Sequence, residues 1–119
     1  MAHVRDVMAK RLQTVGPEDT VGEAVAVMAQ NRIGSVLIMD GDRLLGIFTE
    51  RDTVRALSQA HDAARHEIVS WMTHNPTTVA PDEDAEDALR TMLDSGFRHL
   101  PVVENGKVIG MVSMRDLAG

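Results

Sequence analysis

The chain contains no cysteine among its 119 residues, which excludes disulfide bonds, thiolate metal sites and cysteine catalysis. It also lacks an apolar run of about 18 residues, the length that a membrane-spanning helix requires. Basic residues are not in excess, since the net charge is −6. Most nucleic-acid-binding proteins are positively charged, so this charge argues against binding to nucleic acid. The first residues lack the apolar core of a signal peptide. We therefore expect a cytoplasmic protein with no nucleic-acid partner and no membrane partner.

What the sequence does contain is an internal repeat. A shift of 64 residues aligns residues 7–54 with residues 71–118 without a gap. The aligned identities include Met8 with Met72, Gly46 with Gly110, and Arg51-Asp52 with Arg115-Asp116. A chance register would not hold so many matched positions, so we predict two tandem repeats, over residues 1–62 and 63–119.

Each repeat carries the pattern β-α-β-β-α. A short β-favouring stretch at Thr14 or Thr78 precedes an amphipathic helix, which in the first copy opens on a capping-box pattern, Thr20-Val-Gly-Glu23. Two apolar strands joined by a turn follow, and a further helix begins at Thr49 or Ser113. The order of elements is therefore the same in both copies.

The fold class follows from this order. A repeat of about 50 residues is too small to stay folded alone. We expect an α+β fold in which the two β-α-β-β-α repeats pack through their sheets with pseudo-two-fold symmetry. Between the copies, roughly residues 63–71 are predicted to form one more helical segment.

A motif at the end of each repeat has two interpretations. It reads GIFTERD at residues 46–52 and GMVSMRD at residues 110–116. Its glycine allows the strand to approach a neighbouring segment or a ligand closely. Thr49 begins a helix where phosphate can bind, Asp52 suits the two hydroxyls of a ribose, and Arg51 offers a cation for phosphate. The alternative is a helix cap alone, because Ser/Thr-x-x-Asp/Glu is a common capping box.

The repeated pattern resembles the cystathionine-β-synthase (CBS) domain. The similar features are Thr-Val-x-Pro near the start of each copy, the strand Leu-Pro-Val-Val, and the closing Gly-x-x-Thr/Ser-x-x-Asp. Two copies in tandem resemble a CBS pair, or Bateman module, from about Val4 to Leu117. The resemblance implies an energy-sensing regulatory module without catalytic activity. Such a module would bind AMP, ADP or ATP in clefts between its repeats, form a homodimer and signal to an unidentified protein.

The resemblance also implies which residues line the two clefts. The first cleft would contain Thr49, Arg51, Asp52, Thr78, Val79, Ala88, Arg98, His99, Pro101 and Arg115. The second cleft would contain Thr14, Val15, Ala24, Ile33, Gly34, Ser35, Ser113 and Asp116. Because Arg98 and His99 supply positive charge where the first repeat has Gly34 and Ser35, we predict that the first cleft binds phosphorylated ligand more tightly. No metal site is implied.

Several alternatives stay open on the sequence alone. A structural dimerisation module would have vestigial clefts, and a sensor of S-adenosylmethionine or NAD(H) would bind a different adenosine compound. Arg98 and His99 also have an interpretation as solvated residues at a sheet edge. An enzyme acting on the nucleotide would need a base–nucleophile pair or a set of metal ligands, and His99 is the one candidate acid or base near the predicted phosphate.

Overall fold

The computed structural model describes residues 2–118, so the predicted repeat ends at Met1 and Gly119 lie outside the described residues. Helices and strands alternate along the chain, which confirms the predicted α+β class. In chain order the elements are α1 (Val4–Val7), β1 (Thr14–Val15), α2 (Val21–Asn31), β2 (Ser35–Asp40), β3 (Arg43–Thr49), α3 (Glu50–Gln59), 3₁₀ turns at Ala63–Arg65 and Ile68–Ser70, β4 (Thr73–His74), α4 (Ala85–Ser95), β5 (His99–Glu104), β6 (Lys107–Ser113) and α5 (Met114–Ala118).

The described chain divides into two compact units. The first-repeat unit is residues 13–76, and the second-repeat unit combines residues 2–12 with residues 77–118. The predicted boundary after residue 62 separates the two repeats along the sequence, and it stays a prediction. The units show instead which segments pack together.

The first-repeat unit is built on a four-stranded sheet in the order β1-β2-β3-β4. β1 runs parallel to β2, while β2 with β3 and β3 with β4 are antiparallel. The predicted apolar face of α2 and the inward side chains of the strands form the core, which contains Val15, Val21, Ala24, Met28, Val36, Ile38, Phe48, Ile68 and Met72. Burial of each large apolar side chain stabilises the folded unit by about 1.5–3 kcal/mol. This packing holds the ends of the strands in place.

The second-repeat unit has the same order, with single residue pairs at its edges. β5 and β6 form an antiparallel hairpin. Val79 pairs in parallel with Val102, and Ala9 pairs antiparallel with Met111. The short strand predicted at Thr78 is thus reduced to one bridge. The core of this unit contains Val4, Val79, Ala88, Met92, Leu100, Val102 and Val112.

The edge segment beside β3 explains the glycine of the repeated motif. β4 was not predicted, and it places His74 opposite Gly46. A Cβ added to Gly46 would lie only 2.7 Å from the sulfur of Met72, which precedes β4. In the second-repeat unit a Cβ on Gly110 would lie 2.6 Å from the sulfur of Met8. The close approach that the glycine permits is therefore made by a neighbouring methionine.

The predicted capping box of α2 is present. The Glu23 N–H donates to Thr20 Oγ1 at 3.1 Å, and the Thr20 N–H donates to the Glu23 carboxylate at 3.4 Å. These bonds satisfy backbone groups that the first turn of a helix leaves without an internal partner. Among residues 2–118, no helix is long and apolar enough to cross a membrane.

The segment between the repeats differs from its prediction. Two 3₁₀ turns with an extended backbone between them replace the single helical segment expected at about residues 63–71. The Val21 N–H donates to the His66 carbonyl at 2.9 Å, and the Ile68 N–H donates to the Asp19 carbonyl at 2.7 Å. These bonds to the start of α2 use backbone groups that a continuous helix would need for itself.

Candidate functional site

The end of the hairpin in the first-repeat unit gathers three of the predicted site residues. Ser35 begins β2 and lies opposite Thr49, the last residue of β3. The Glu50 N–H donates to the Gly34 carbonyl at 3.1 Å, so the first turn of α3 is attached to the chain that enters β2. Gly34, Ser35 and Thr49 therefore lie together at one end of the sheet.

Asp52 caps α3 from within its first turn. The Thr49 N–H donates to Asp52 Oδ2 at 3.0 Å, and the Asp52 N–H donates to Thr49 Oγ1 at 3.2 Å. The Thr49 hydroxyl also donates to Oδ2 at 3.2 Å. The capping interpretation of the motif is confirmed. The same bonds fix the orientation of the hydroxyl and the carboxylate, which is what a binding site also requires.

The second oxygen of this carboxylate has partners that the motif does not contain. Arg55 Nη2 donates to Asp52 Oδ1 at 3.3 Å, and the Thr73 hydroxyl lies at 3.5 Å from the same atom. Asp52 is only 7% exposed, and a carboxylate so buried needs partners because transferring it from water without them is unfavourable. The spacing of Arg55, three residues after Asp52 on a helix, could have revealed that pair. Thr73 is 21 residues away, and no local pattern indicates it.

The second copy of the motif repeats the cap. The Ser113 N–H donates to Asp116 Oδ2 at 2.9 Å, and the Asp116 N–H donates to Ser113 Oγ at 3.2 Å. Both copies thus hold a hydroxyl and a carboxylate at the junction of a strand and a helix.

The additional partners of the first carboxylate have no counterparts in the second copy. Ala9 occupies the position that matches Thr73, and Gly119 occupies the position that matches Arg55. Neither residue type carries a side-chain donor. Asp116 is also half-buried rather than buried. The two carboxylates therefore differ in environment although their capping bonds are the same.

Arg98 and His99 lie beside the second copy of the motif in their own unit. His99 begins β5 opposite Ser113 of β6, and the Met114 N–H donates to the Arg98 carbonyl at 2.8 Å. Arg98 is exposed, and His99 is half-buried. Their combination with the first copy of the motif in a single cleft stays a prediction.

The remaining predicted site residues divide between the surface and the two cores. The exposed ones are Thr14, Arg51, Thr78 and Arg115, and Ile33 is half-buried. The buried ones are Val15, Ala24, Val79, Ala88 and Pro101. The backbone of Val79 is also bonded on both sides, since its N–H donates to the Pro101 carbonyl at 3.0 Å and its carbonyl accepts from the Val103 N–H at 2.9 Å. Within residues 2–118, no three His, Asp or Glu side chains are grouped to hold a metal ion.

A cluster of rings next to Asp52 was not predicted. Trp71 Nε1–H donates to His66 Nδ1 at 3.0 Å, and the two rings stack with their centroids 6.1 Å apart. His66 Nε2 lies 3.2 Å from Asp62 Oδ1. The Arg55 guanidinium lies 5.7 Å from the Trp71 ring centroid, and its Nη2 donates to the Trp71 carbonyl at 2.7 Å. Arg55 therefore connects this cluster to the Asp52 carboxylate.

Comparison with known proteins extends over the whole described chain. The sequence pattern of the CBS domain matches twice, at residues 4–59 and 65–119. A 17.7 kDa protein of Acidianus ambivalens is 39% identical over 117 residues, which cover 97% of this chain and 70% of that protein. The CBS domain-containing protein YhcV of Bacillus subtilis is 30% identical over 119 residues, which cover 99% of this chain and 84% of that protein.

Solved structures agree with the sequence comparison. The CBS-domain protein ATU1752 of Agrobacterium tumefaciens has a TM-score of 0.94 at 32% identity, covering 98% of this chain and 97% of that one. The CBS domain pair of protein MJ0100, solved with 5′-methylthioadenosine and S-adenosyl-L-methionine, has a TM-score of 0.90 at 27% identity, covering 99% and 94%. CBSX2, solved with AMP, has a TM-score of 0.86 at 25% identity, covering 99% and 94%. The chain belongs to the CBS domain family, as a tandem CBS pair.

Proposed function

We propose that this chain is a regulatory module that binds an adenine nucleotide (AMP, ADP or ATP) and passes the bound state to a partner protein. The observation that supports the proposal most directly is the pair of capped strand ends, each with an oriented hydroxyl and carboxylate. Two relatives at 25–27% identity were solved with AMP or with S-adenosylmethionine and methylthioadenosine, and all three compounds contain adenosine. Homodimer formation belongs to the same proposal.

The chemistry of the first copy suits the sugar and phosphate of such a ligand. A carboxylate accepts hydrogen bonds from the two neighbouring ribose hydroxyls, and Asp52 is the buried carboxylate of the motif. The N-terminus of α3 favours a negatively charged group, because the positive end of the helix dipole lies there. Arg51 is exposed on the first turn of this helix, where a guanidinium can pair with phosphate. The contribution of Arg98 and His99 to the same ligand is part of the proposal.

The direct test is calorimetric titration of the chain with AMP, ADP, ATP, S-adenosylmethionine and NADH. We expect saturable binding of at least one adenine nucleotide, accompanied by a rise in the melting temperature. A ligand present at 100 times its Kd stabilises the native state by about 2.7 kcal/mol. If none of the five compounds binds at millimolar concentration and the melting temperature does not move, the clefts are vestigial and the proposal is wrong. Nucleotide recovered unchanged after prolonged incubation would support binding without catalysis.

A pair of matched variants tests the predicted inequality of the two copies. Asp52→Asn keeps the shape of the side chain but removes the negative charge of the carboxylate that would accept hydrogen bonds from the ribose hydroxyls. Asp116→Asn makes the same change in the second copy. We expect the first variant to weaken nucleotide binding by roughly tenfold and the second by less, since hydrogen bonds to charged groups contribute about 1.5–3 kcal/mol. Equal effects would contradict the inequality while leaving nucleotide binding itself supported.

A further inference from the structure

Arg55 makes one bridge between the binding motif and the segment that follows α3. A single atom, Nη2, donates to Asp52 Oδ1 at 3.3 Å and to the Trp71 carbonyl at 2.7 Å. The guanidinium also faces the Trp71 ring, 5.7 Å from its centroid. Because the same Nη2 atom makes both bonds, the position of Arg55 links the Asp52 carboxylate to Trp71.

The Asp52 carboxylate has no spare capacity for a ligand. Oδ2 accepts from the Thr49 N–H and hydroxyl, and Oδ1 accepts from Arg55 and from the Thr73 hydroxyl. A carboxylate has about four acceptor positions, so a ribose hydroxyl has to replace one of these donors. The bonds to Oδ1 are the longest of the four, at 3.3 and 3.5 Å, and hydrogen bonds weaken with length. Replacement at Oδ1 disturbs neither of the capping bonds that hold α3.

We propose that Arg55 competes with the ligand for Asp52 Oδ1, so that ligand binding releases Arg55 and is transmitted to Trp71 and the segment between the repeats. This inference rests on the proposed nucleotide binding at Asp52 and adds a positioning residue and a route of coupling to it. Trp71 is bonded to His66, and His66 is paired with Asp62. The release of Arg55 therefore acts on a connected group of side chains.

The coupling belongs to the first copy of the motif. The second copy has Gly119 and Ala9 where the first has Arg55 and Thr73, so Asp116 lacks both of the donors that contact Oδ1 of Asp52, one of which a ligand would have to displace. A ligand at Asp116 would meet no such competition. Binding at the two carboxylates would then differ in its effect on the rest of the chain.

The first experiment combines calorimetry with fluorescence on the full chain, using AMP. Trp71 is the single tryptophan and there is no tyrosine, so the emission reports on this site alone. We expect the wild type to change its emission on saturation. We expect Arg55→Met to bind AMP roughly three- to tenfold more tightly, because the competing donor is gone, and to lose the emission change. Arg43→Met, which removes the same charge from the exposed start of β3, should behave as the wild type.

The proposal requires both results for Arg55→Met. Unchanged or weaker AMP binding would overturn it, and so would an emission change equal to that of the wild type. Absence of AMP binding to the wild type would instead refute the proposed function, so the two failures are distinguishable.

A second measurement uses only the wild-type chain and so does not depend on the folding of a variant. AMP is compared with 2′,3′-dideoxyadenosine monophosphate, which lacks both ribose hydroxyls and cannot displace Arg55. We expect the dideoxy compound to leave the Trp71 emission unchanged at concentrations where AMP saturates its response. An emission change of the same size with both compounds would overturn the proposal.

Discussion

Gly46 shows how a single position is constrained by a neighbour rather than by a ligand. A Cβ at this position would lie 2.7 Å from both the Met72 sulfur and the Thr73 carbonyl oxygen. Real Cβ atoms do not approach other atoms so closely, and the backbone carbonyl cannot rotate away as a side chain can. The glycine of the motif is therefore needed for packing even without a nucleotide.

We expect Gly46→Ala to lower the free energy of unfolding by roughly 1–3 kcal/mol, the usual range for overpacking a tight site. Urea denaturation without nucleotide measures this change. Gly16→Ala is the control, because a Cβ there would lie 3.6 Å from Asp19 Oδ2, an ordinary contact distance. Equal stability of the two variants would show that β4 can move away from β3 and that the glycine is not required for packing.

The sequence indicates which residues form the motif more reliably than it indicates what those residues contact. The capping bonds of Thr49 with Asp52 could be predicted because they join residues three apart. The predicted close approach at Gly46 was correct, but its partner could not be chosen, since Met72 is brought there by the pairing of β4 with β3. Thr73 contacts Asp52 for the same reason. A contact that depends on the pairing of two strands cannot be predicted from a local sequence pattern.

The helices α2 and α4 occupy corresponding positions in the two repeats but end on different residues. Each ends with its C-cap residue in the left-handed region, at positions that correspond in the repeat: Arg32 at φ 54° and Gly96 at φ 78°. A residue with a Cβ is strained there by roughly 1–2 kcal/mol, whereas glycine is not. The first helix thus has a less favourable end than the second.

We expect Arg32→Gly to raise the free energy of unfolding by roughly 0.5–1 kcal/mol, after the greater flexibility of glycine in the unfolded chain is subtracted. The reverse change in the matched helix, Gly96→Ala, should lower it by roughly 1 kcal/mol. Thermal or urea unfolding of both variants measures the difference. A loss of stability in Arg32→Gly would mean that the arginine side chain contributes more than its backbone strain removes.

The elements that could be predicted are those with strong local signals. The amphipathic faces, the capping box at Thr20 and the two apolar hairpins all appear where the sequence indicated them. The segment at residues 63–71 could not be predicted, because its backbone bonds to residues 19–21 across the unit. β4 is two residues long and Ala9 makes a single bridge, and elements so short have no periodicity.

At the scale of the whole molecule, residues 2–12 belong to the unit of the second repeat. Val4 is fully buried in that core, and its N–H donates to the Glu83 carbonyl at 2.8 Å. Ala9 exchanges two backbone bonds with Met111, at 2.8 and 2.9 Å. Arg5 pairs with Asp82, and this pairing raises the pKa of Arg5. The stability of the second-repeat unit therefore depends on residues that precede the first-repeat unit in the sequence.

We expect Val4→Ala to lower the free energy of unfolding by roughly 2–3 kcal/mol, because it removes two buried methyl groups and leaves a cavity. Val54→Ala is the control, since Val54 is 70% exposed and truncation there should change stability by less than about 0.5 kcal/mol. Urea denaturation measures both. If the two variants are equally stable, the α1 segment does not contribute to the core.

The sharing of residues 2–12 with the far end of the chain also has a consequence during synthesis. Ala9 leaves the ribosome long before Met111, the residue with which it pairs. Residues 13–76 form a contiguous unit, so all of its elements are available to pack before Met111 has been made. The nascent chain must therefore carry this segment unpaired, with the apolar side chains of Val4 and Met8, until Met111 has been made. In this interval the segment is available to chaperones and to other nascent chains.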